Sequence, residues 1–246
     1  MRLPLGYRTA RRVIELGRAA FFGIGDADLP KNRSAQLQAD DRTPQFGFVG
    51  SRYSPARILL FGINPGNGSE TEMRSASDAR MMPALARFAA DPSPEHFVAA
   101  QRAYQAECTG WRTWRHCARI LEAVGLEIEQ IAYSNCLPWR SDHETRFSRD
   151  IATRAATLYA IPLVEELKPR LIVAISKRAE RILSLGGRPT SNVVIWNAAH
   201  ALTDRVREER DQAIAAIQSH LARPWQSPII NGASPTESVR PRRDTR

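Results

Sequence analysis

Four polar residues each follow a short apolar run: Asn64 after RILLFGI, Asn135 after IAYS, Ser176 after LIVAI and His200 after VVIWNAA. An amide is no strong base, yet it orients a water and presents both a donor and an acceptor. An imidazole placed at the end of a strand donates a hydrogen bond to an oxygen that gains negative charge, a contribution of roughly 3 kcal/mol. A hydroxyl completes the set. Taken singly, these residue types are ordinary turn formers. Brought together they form a site that reads and polarises a polar ligand.

The elements that would gather them follow from the pattern. Ile58 to Phe61 is an apolar run bounded by Pro55 and by the Gly62–Gly66 stretch GINPG, which suits a strand covered on both faces and hence a parallel sheet. Pro65 has no N–H for a ladder and Gly66 tolerates unusual backbone angles, so the strand ends there. Similar strands are expected at 128–135, 171–175 and 193–196. Helical spacing is expected at 7–22, 79–90, 95–108 and 111–124, and from a Ser148 cap to Lys168-Pro169. Further helices should run from Lys177 to the Gly186-Gly187 break and over 203–221. Strands alternating with helices predict an α/β three-layer sandwich around a central, mostly parallel four-stranded sheet. Asn64, Asn135, Ser176 and His200 would then line its carboxyl edge, where open α/β sheets bind ligands. The expected organisation is an N-terminal helix and loop over 1–50, a catalytic domain over 51–222 and a disordered basic tail over 223–246, rich in Pro, Ser and Arg.

Within 111–124, Trp111, Trp114, Ala118 and Leu121 are expected to form a core stripe, with Arg112, Arg115 and Arg119 solvated. Asp142, His143 and Glu144 read as loop polars that cap the next helix. The formal net charge of +9 favours polyanionic partners, and only three of the 35 basic residues are lysine. Arginine's planar fork suits phosphate. Three cysteines, Cys108, Cys117 and Cys136, with no C-x-x-C, exclude a zinc ribbon, a disulfide framework and a four-cysteine iron–sulfur cluster. His96, His116 and His220 lack metal spacing. No metal and no cofactor are expected. The N-terminus leads into arginines and no 18 apolar residues run together, so a cytoplasmic protein without membrane contact is expected.

GINPG at 62–66, YSNCLPWRS at 133–141, KPRLIVAISKRA at 168–179 and VVIWNAAHAL at 193–202 together resemble the uracil-DNA glycosylase superfamily, over roughly 57–221. The first motif is most similar to that of the mismatch-specific uracil/thymine branch. The resemblance implies a uracil-DNA glycosylase-like fold and a monofunctional, cofactor-free, monomeric enzyme. Such an enzyme flips uracil out of single- or double-stranded DNA and hydrolyses its N-glycosidic bond, leaving an abasic site. It also implies roles. Asn64 holds the attacking water, and His200, at the place of the family's His-Pro-Ser histidine, donates to uracil O2. Asn135 reads the base by donating to O4 and accepting from N3–H, a pattern that cytosine inverts.

Gly62, Ile63, Pro65, Gly66 and Ser176 complete the expected substrate surface. Gly66 stands where the uracil-exclusive branch carries a tyrosine against C5, which leaves room for a methyl group. Phe88, Phe48 and a methionine of the Met81-Met82 pair are equal candidates for the residue that stacks on the base. After His200 the chain has Ala201-Leu202-Thr203 in place of Pro-Ser. Leu202, Thr203 and Arg205 are the candidate DNA contacts, and Leu202 and Arg205 compete as the wedge. Two other functions stay open: a non-catalytic nucleic-acid binder on the same fold, and a hydrolase of free nucleosides.

Overall fold

A computed structural model describes residues 3–23, 43–63, 71–111, 113–139, 148–187, 192–198 and 203–223. The expected tail beyond Arg223, the 142–144 group, Arg112, and the candidate site residues Asn64, Pro65, Gly66, His200 and Leu202 lie outside them.

The protein is α/β, and its described residues form a mostly parallel sheet of five strands in the order β1-β3-β2-β4-β5. Here β1 is Phe48–Val49, β2 Ile58–Gly62, β3 Ile131–Asn135, β4 Leu171–Ala174 and β5 Val193–Ile195. Every residue of β2, β3 and β4 is buried, as an apolar run covered on both faces requires. The three are paired in parallel register, with Leu60 beside Tyr133 on one side and Val173 on the other.

The expected four strands become five. The added strand, β1, is only two residues long and pairs antiparallel with β3, Phe48 opposite Tyr133. It lies before residue 50, so the sheet begins inside the segment expected to be an N-terminal extension. Glycines at both ends permit the approach. Gly47 has φ +74°, and a Cβ there would stand 2.0 Å from the Tyr133 carbonyl oxygen; one on Gly50 would stand 2.3 Å from that of Glu129.

Among the described residues, ten helices connect and cover the strands. The expected first helix is two, α1 (Tyr7–Leu16) and α2 (Arg18–Phe22), because Gly17 at φ +74° breaks it. The short α3 (Tyr53–Ala56) precedes β2. Then come α4 (Thr71–Ala90), α5 (Pro94–Cys108) and α6 (Trp114–Val124) before β3. The expected strand start at 128 is instead a single 3₁₀ turn over Ile128–Gln130. Ser148 caps α7 (Arg149–Ala155) by accepting from the Ile151 amide, as expected. A π turn over Ala156–Ala160 joins it to α8 (Ile161–Leu167). Last are α9 (Lys177–Leu185) and α10 (Asp204–Ala222).

Consecutive residues of β3 show how the layers meet. The Tyr133 ring faces Tyr104 of α5 and Trp114 of α6, with centroids 6.2 and 5.9 Å away. Ser134 points the other way, its hydroxyl 2.8 Å from that of Tyr159 in the π turn. Of the stripe expected from Trp111, Trp114 and Leu121 are buried in α6 and Trp111 is half-buried against the core, whereas Ala118 is exposed and Cys117 and Ile120 are buried in its stead. Among the described residues, no helix is long and apolar enough to cross a membrane.

Candidate functional site

The carboxyl ends of β2 and β3 lie side by side, with Gly62 opposite Asn135. Two further bonds hold them together past the ladder, Cys136 N–H to the Gly62 carbonyl and Leu137 N–H to that of Ile63, both 2.9 Å. The side chain of Asn135 lies across Gly62. A Cβ on Gly62 would come within 2.3 Å of Asn135 Oδ1, so only glycine leaves room for the amide in this position. The expected substrate residues Gly62, Ile63 and Asn135 thus meet at one point, where the chain runs on to Asn64.

Asn135 is 1% exposed. Its Oδ1 accepts a long bond, 3.5 Å, from the Tyr133 hydroxyl. Its Nδ2 has no hydrogen-bond partner among the described residues. A buried N–H left unpaired costs about 1–3 kcal/mol, so such a group is kept where something else is to accept from it. Burial, with the Cys117 and Cys108 thiols adding, pushes the Tyr133 hydroxyl well above its usual range, which keeps it a neutral donor. The three cysteine thiols are likewise raised by burial and stay protonated.

The neighbouring strand ends form the walls of a cleft of about 800 Å³, lined among others by Ile63, Ser176, Lys177, Arg178, Asn197 and Arg205. Ser176 has φ 153° and ψ 158°, a region that favours glycine and stores roughly 1–3 kcal/mol of strain. Its hydroxyl accepts from the Ala179 amide at 3.2 Å and so starts α9. Lys177 and Arg178 follow at once, which places two cations at the rim.

On the far side of the cleft, the segment after β5 is clamped to α10. The Asn197 amide donates to Glu209, and the Asn197 carbonyl accepts from Arg210 Nε at 2.9 Å. Glu209 also accepts from Arg205 Nε at 3.1 Å. The Asn197 amide, followed by Arg205, holds the Glu209 carboxyl below the usual range. Arg210 is buried, and its guanidinium lies 5.4 Å from the centre of the Trp196 ring. None of these anchors carries a signal in sequence beyond its polar type. Thr203 caps α10, its Oγ1 accepting from the Val206 amide at 3.3 Å. Of the expected DNA contacts, then, Thr203 is committed to the helix, and Arg205 projects from it with its side chain 80% exposed.

Phe88 does not meet this point. It is buried among Tyr7, Phe46 and Phe97, at 6.3, 6.0 and 5.0 Å, so its ring belongs to the core and not to a stacking surface. Phe48 is also taken, stacked on Tyr133 at 6.2 Å. Met81 is fully buried, whereas Met82 is half-buried. Among the described residues, no group of His, Cys, Asp or Glu is arranged to hold a metal. No known protein-family model matches the chain, and no curated protein matches it.

Proposed function

We propose that the protein is a DNA glycosylase that excises uracil, on a three-layer fold like that of the uracil-DNA glycosylases. The observation that carries this reading is the buried Asn135 amide at the joined ends of two parallel strands, whose oxygen lies over Gly62 and whose Nδ2 has no hydrogen-bond partner among the described residues. A flipped uracil supplies the missing acceptor, O4. Cytosine presents an amino group to the same donor and leaves it unpaired, and mismatches of this kind discriminate by about 10⁴ to 10⁵.

In the reaction the C1′–N1 bond breaks with its electron pair going to the base. A water held by Asn64 adds its oxygen to C1′ and releases a proton, and the products are uracil and an abasic sugar. His200 donates to O2 as negative charge gathers there, which lowers the barrier without a strong base. Lys177, Arg178 and Arg205 around the cleft offer cations to the phosphate backbone, and the charge of +9 favours the encounter. The protein would act as a monomer in the cytoplasm, on single- or double-stranded DNA.

The test is a labelled uracil-containing oligonucleotide, incubated with the protein and then cleaved with alkali. Abasic-site cleavage is expected, and Asn64→Ala and His200→Ala should each reduce single-turnover excision by about 10² or more with the fold retained. Binding without cleavage would replace this reading with a nucleic-acid-binding function. Wild-type rates in both variants would overturn the assignment of the residues.

A further inference from the structure

A second buried amide stands beside the strand end that carries Asn135. Gln45 is 0% exposed, and its Oε1 has no hydrogen-bond partner among the described residues. Among the described residues, its Nε2 meets only the weak acceptor Sδ of Met82, at 4.0 Å. The Gln45 backbone N–H donates to the Pro138 carbonyl at 2.7 Å, which extends the pairing of β1 and β3 past both strands and sets Gln45 alongside the segment that leaves Asn135.

The turn at Gly47 decides which way the side chains go. Phe46 packs on Tyr159 and Phe88, and its carbonyl accepts from the Ser134 and Tyr159 hydroxyls, both at 3.3 Å. Gln45 reaches Met82, which lies on α4 together with Phe88. The Asn135 side chain shares the face of Tyr133, which α5 covers, and α4 and α5 pack against each other. Two buried polar atoms without a partner among the described residues, one a donor and one an acceptor, therefore belong to segments joined beside one strand end.

We propose that Gln45 is a second base-reading residue, whose Oε1 accepts the N3–H of the flipped pyrimidine while Asn135 Nδ2 donates to O4. This rests on the glycosylase reading above. The division of labour fits the Asn135 amide, whose oxygen already receives the Tyr133 hydroxyl. An oxygen of this kind can only accept, so it favours uracil or thymine, which carry N3–H, over cytosine, which does not.

Gln45→Met tests the assignment, because it keeps the length of the side chain and removes its polar end. If the amide is kept for a ligand, the variant should melt at or above the wild-type temperature, since an unpaired buried polar group is lost. Its kcat/KM for uracil in DNA should fall by about 10- to 100-fold. Measured in an Asn135→Ala background, the same substitution should cost less, because the two amides hold one base. Wild-type excision by Gln45→Met, a loss of activity that follows a loss of thermal stability, or an equal cost in both backgrounds would each overturn the proposal and leave the glycosylase reading standing. Absence of excision by the wild-type protein would overturn both.

Discussion

At the end of β5, Asn197 is half-buried and tied to the scaffold: its side-chain Nδ2 donates to Glu209, and its backbone carbonyl accepts from Arg210. At the end of β3, Asn135 is more deeply buried, yet its Nδ2 is left unpaired among the described residues. The same side chain at the same kind of strand end thus meets two fates. Satisfied polar groups fix a loop, whereas an unsatisfied one is kept at a cost and points to a ligand. Residue type does not separate the two; the hydrogen-bond inventory does.

The contrast breaks most sharply at Asn135. Asn135→Asp turns a donor into an ionised acceptor facing uracil O4, so single-turnover uracil excision should fall by about 10³-fold. A trace of cytosine excision, larger at lower pH, would mark the protonated carboxyl as the competent form. An unchanged rate on uracil would remove Asn135 from base reading. Next comes Gly62→Ala, which places a methyl 2.3 Å from Asn135 Oδ1 and pushes the amide aside. Excision should drop by about 10², with little change in melting temperature because only the end of a side chain has to move. A fall in stability without loss of excision would assign Gly62 to packing.

The anchored asparagine should answer in the opposite currency. Arg210→Ala removes a buried guanidinium from the Asn197 carbonyl and the Trp196 ring, and should lower unfolding stability by about 2 kcal/mol in denaturant titrations. Excision should follow only about tenfold, through the loop that leads to His200. The smallest effect is expected at Glu209→Gln. The wild-type carboxyl is held below its ordinary range, so its contribution is present at neutral pH and fades as pH falls through that lowered value. The variant should melt slightly lower than wild type at pH 7 and converge with it in acid. A gap that widened in acid would contradict the ion-pair account.

The central strands were legible because β2, β3 and β4 are covered on both faces, which forces an uninterrupted apolar run. Asn135 was legible for the same reason, as the polar residue that ends one. β1 was not, since two residues carry no periodicity; its trace in the sequence is the pair of glycines around Phe48–Val49. Gln45 gave no sign, because it is buried against residues distant in sequence, Met82 and Pro138, that no local pattern encodes. Phe88 was misplaced on similar grounds. Aromaticity marks a ring, whereas the neighbours Tyr7, Phe46 and Phe97 decide whether its faces are free.

The brevity of β1 also bears on amide hydrogen exchange. Strands buried in the middle of a sheet exchange their N–H protons only when much of the molecule opens, whereas an edge held by few bonds opens alone and more often. The Gln45 and Gly50 amides, bonded to Pro138 and Ile131 at 2.7 and 2.9 Å, belong to that edge. They should lose protection well before the amides of β2 and β4. Such a local excursion would uncover Gln45 and the flank of Asn135 with the central sheet intact, a route by which two amides sealed from solvent at rest become reachable by a base.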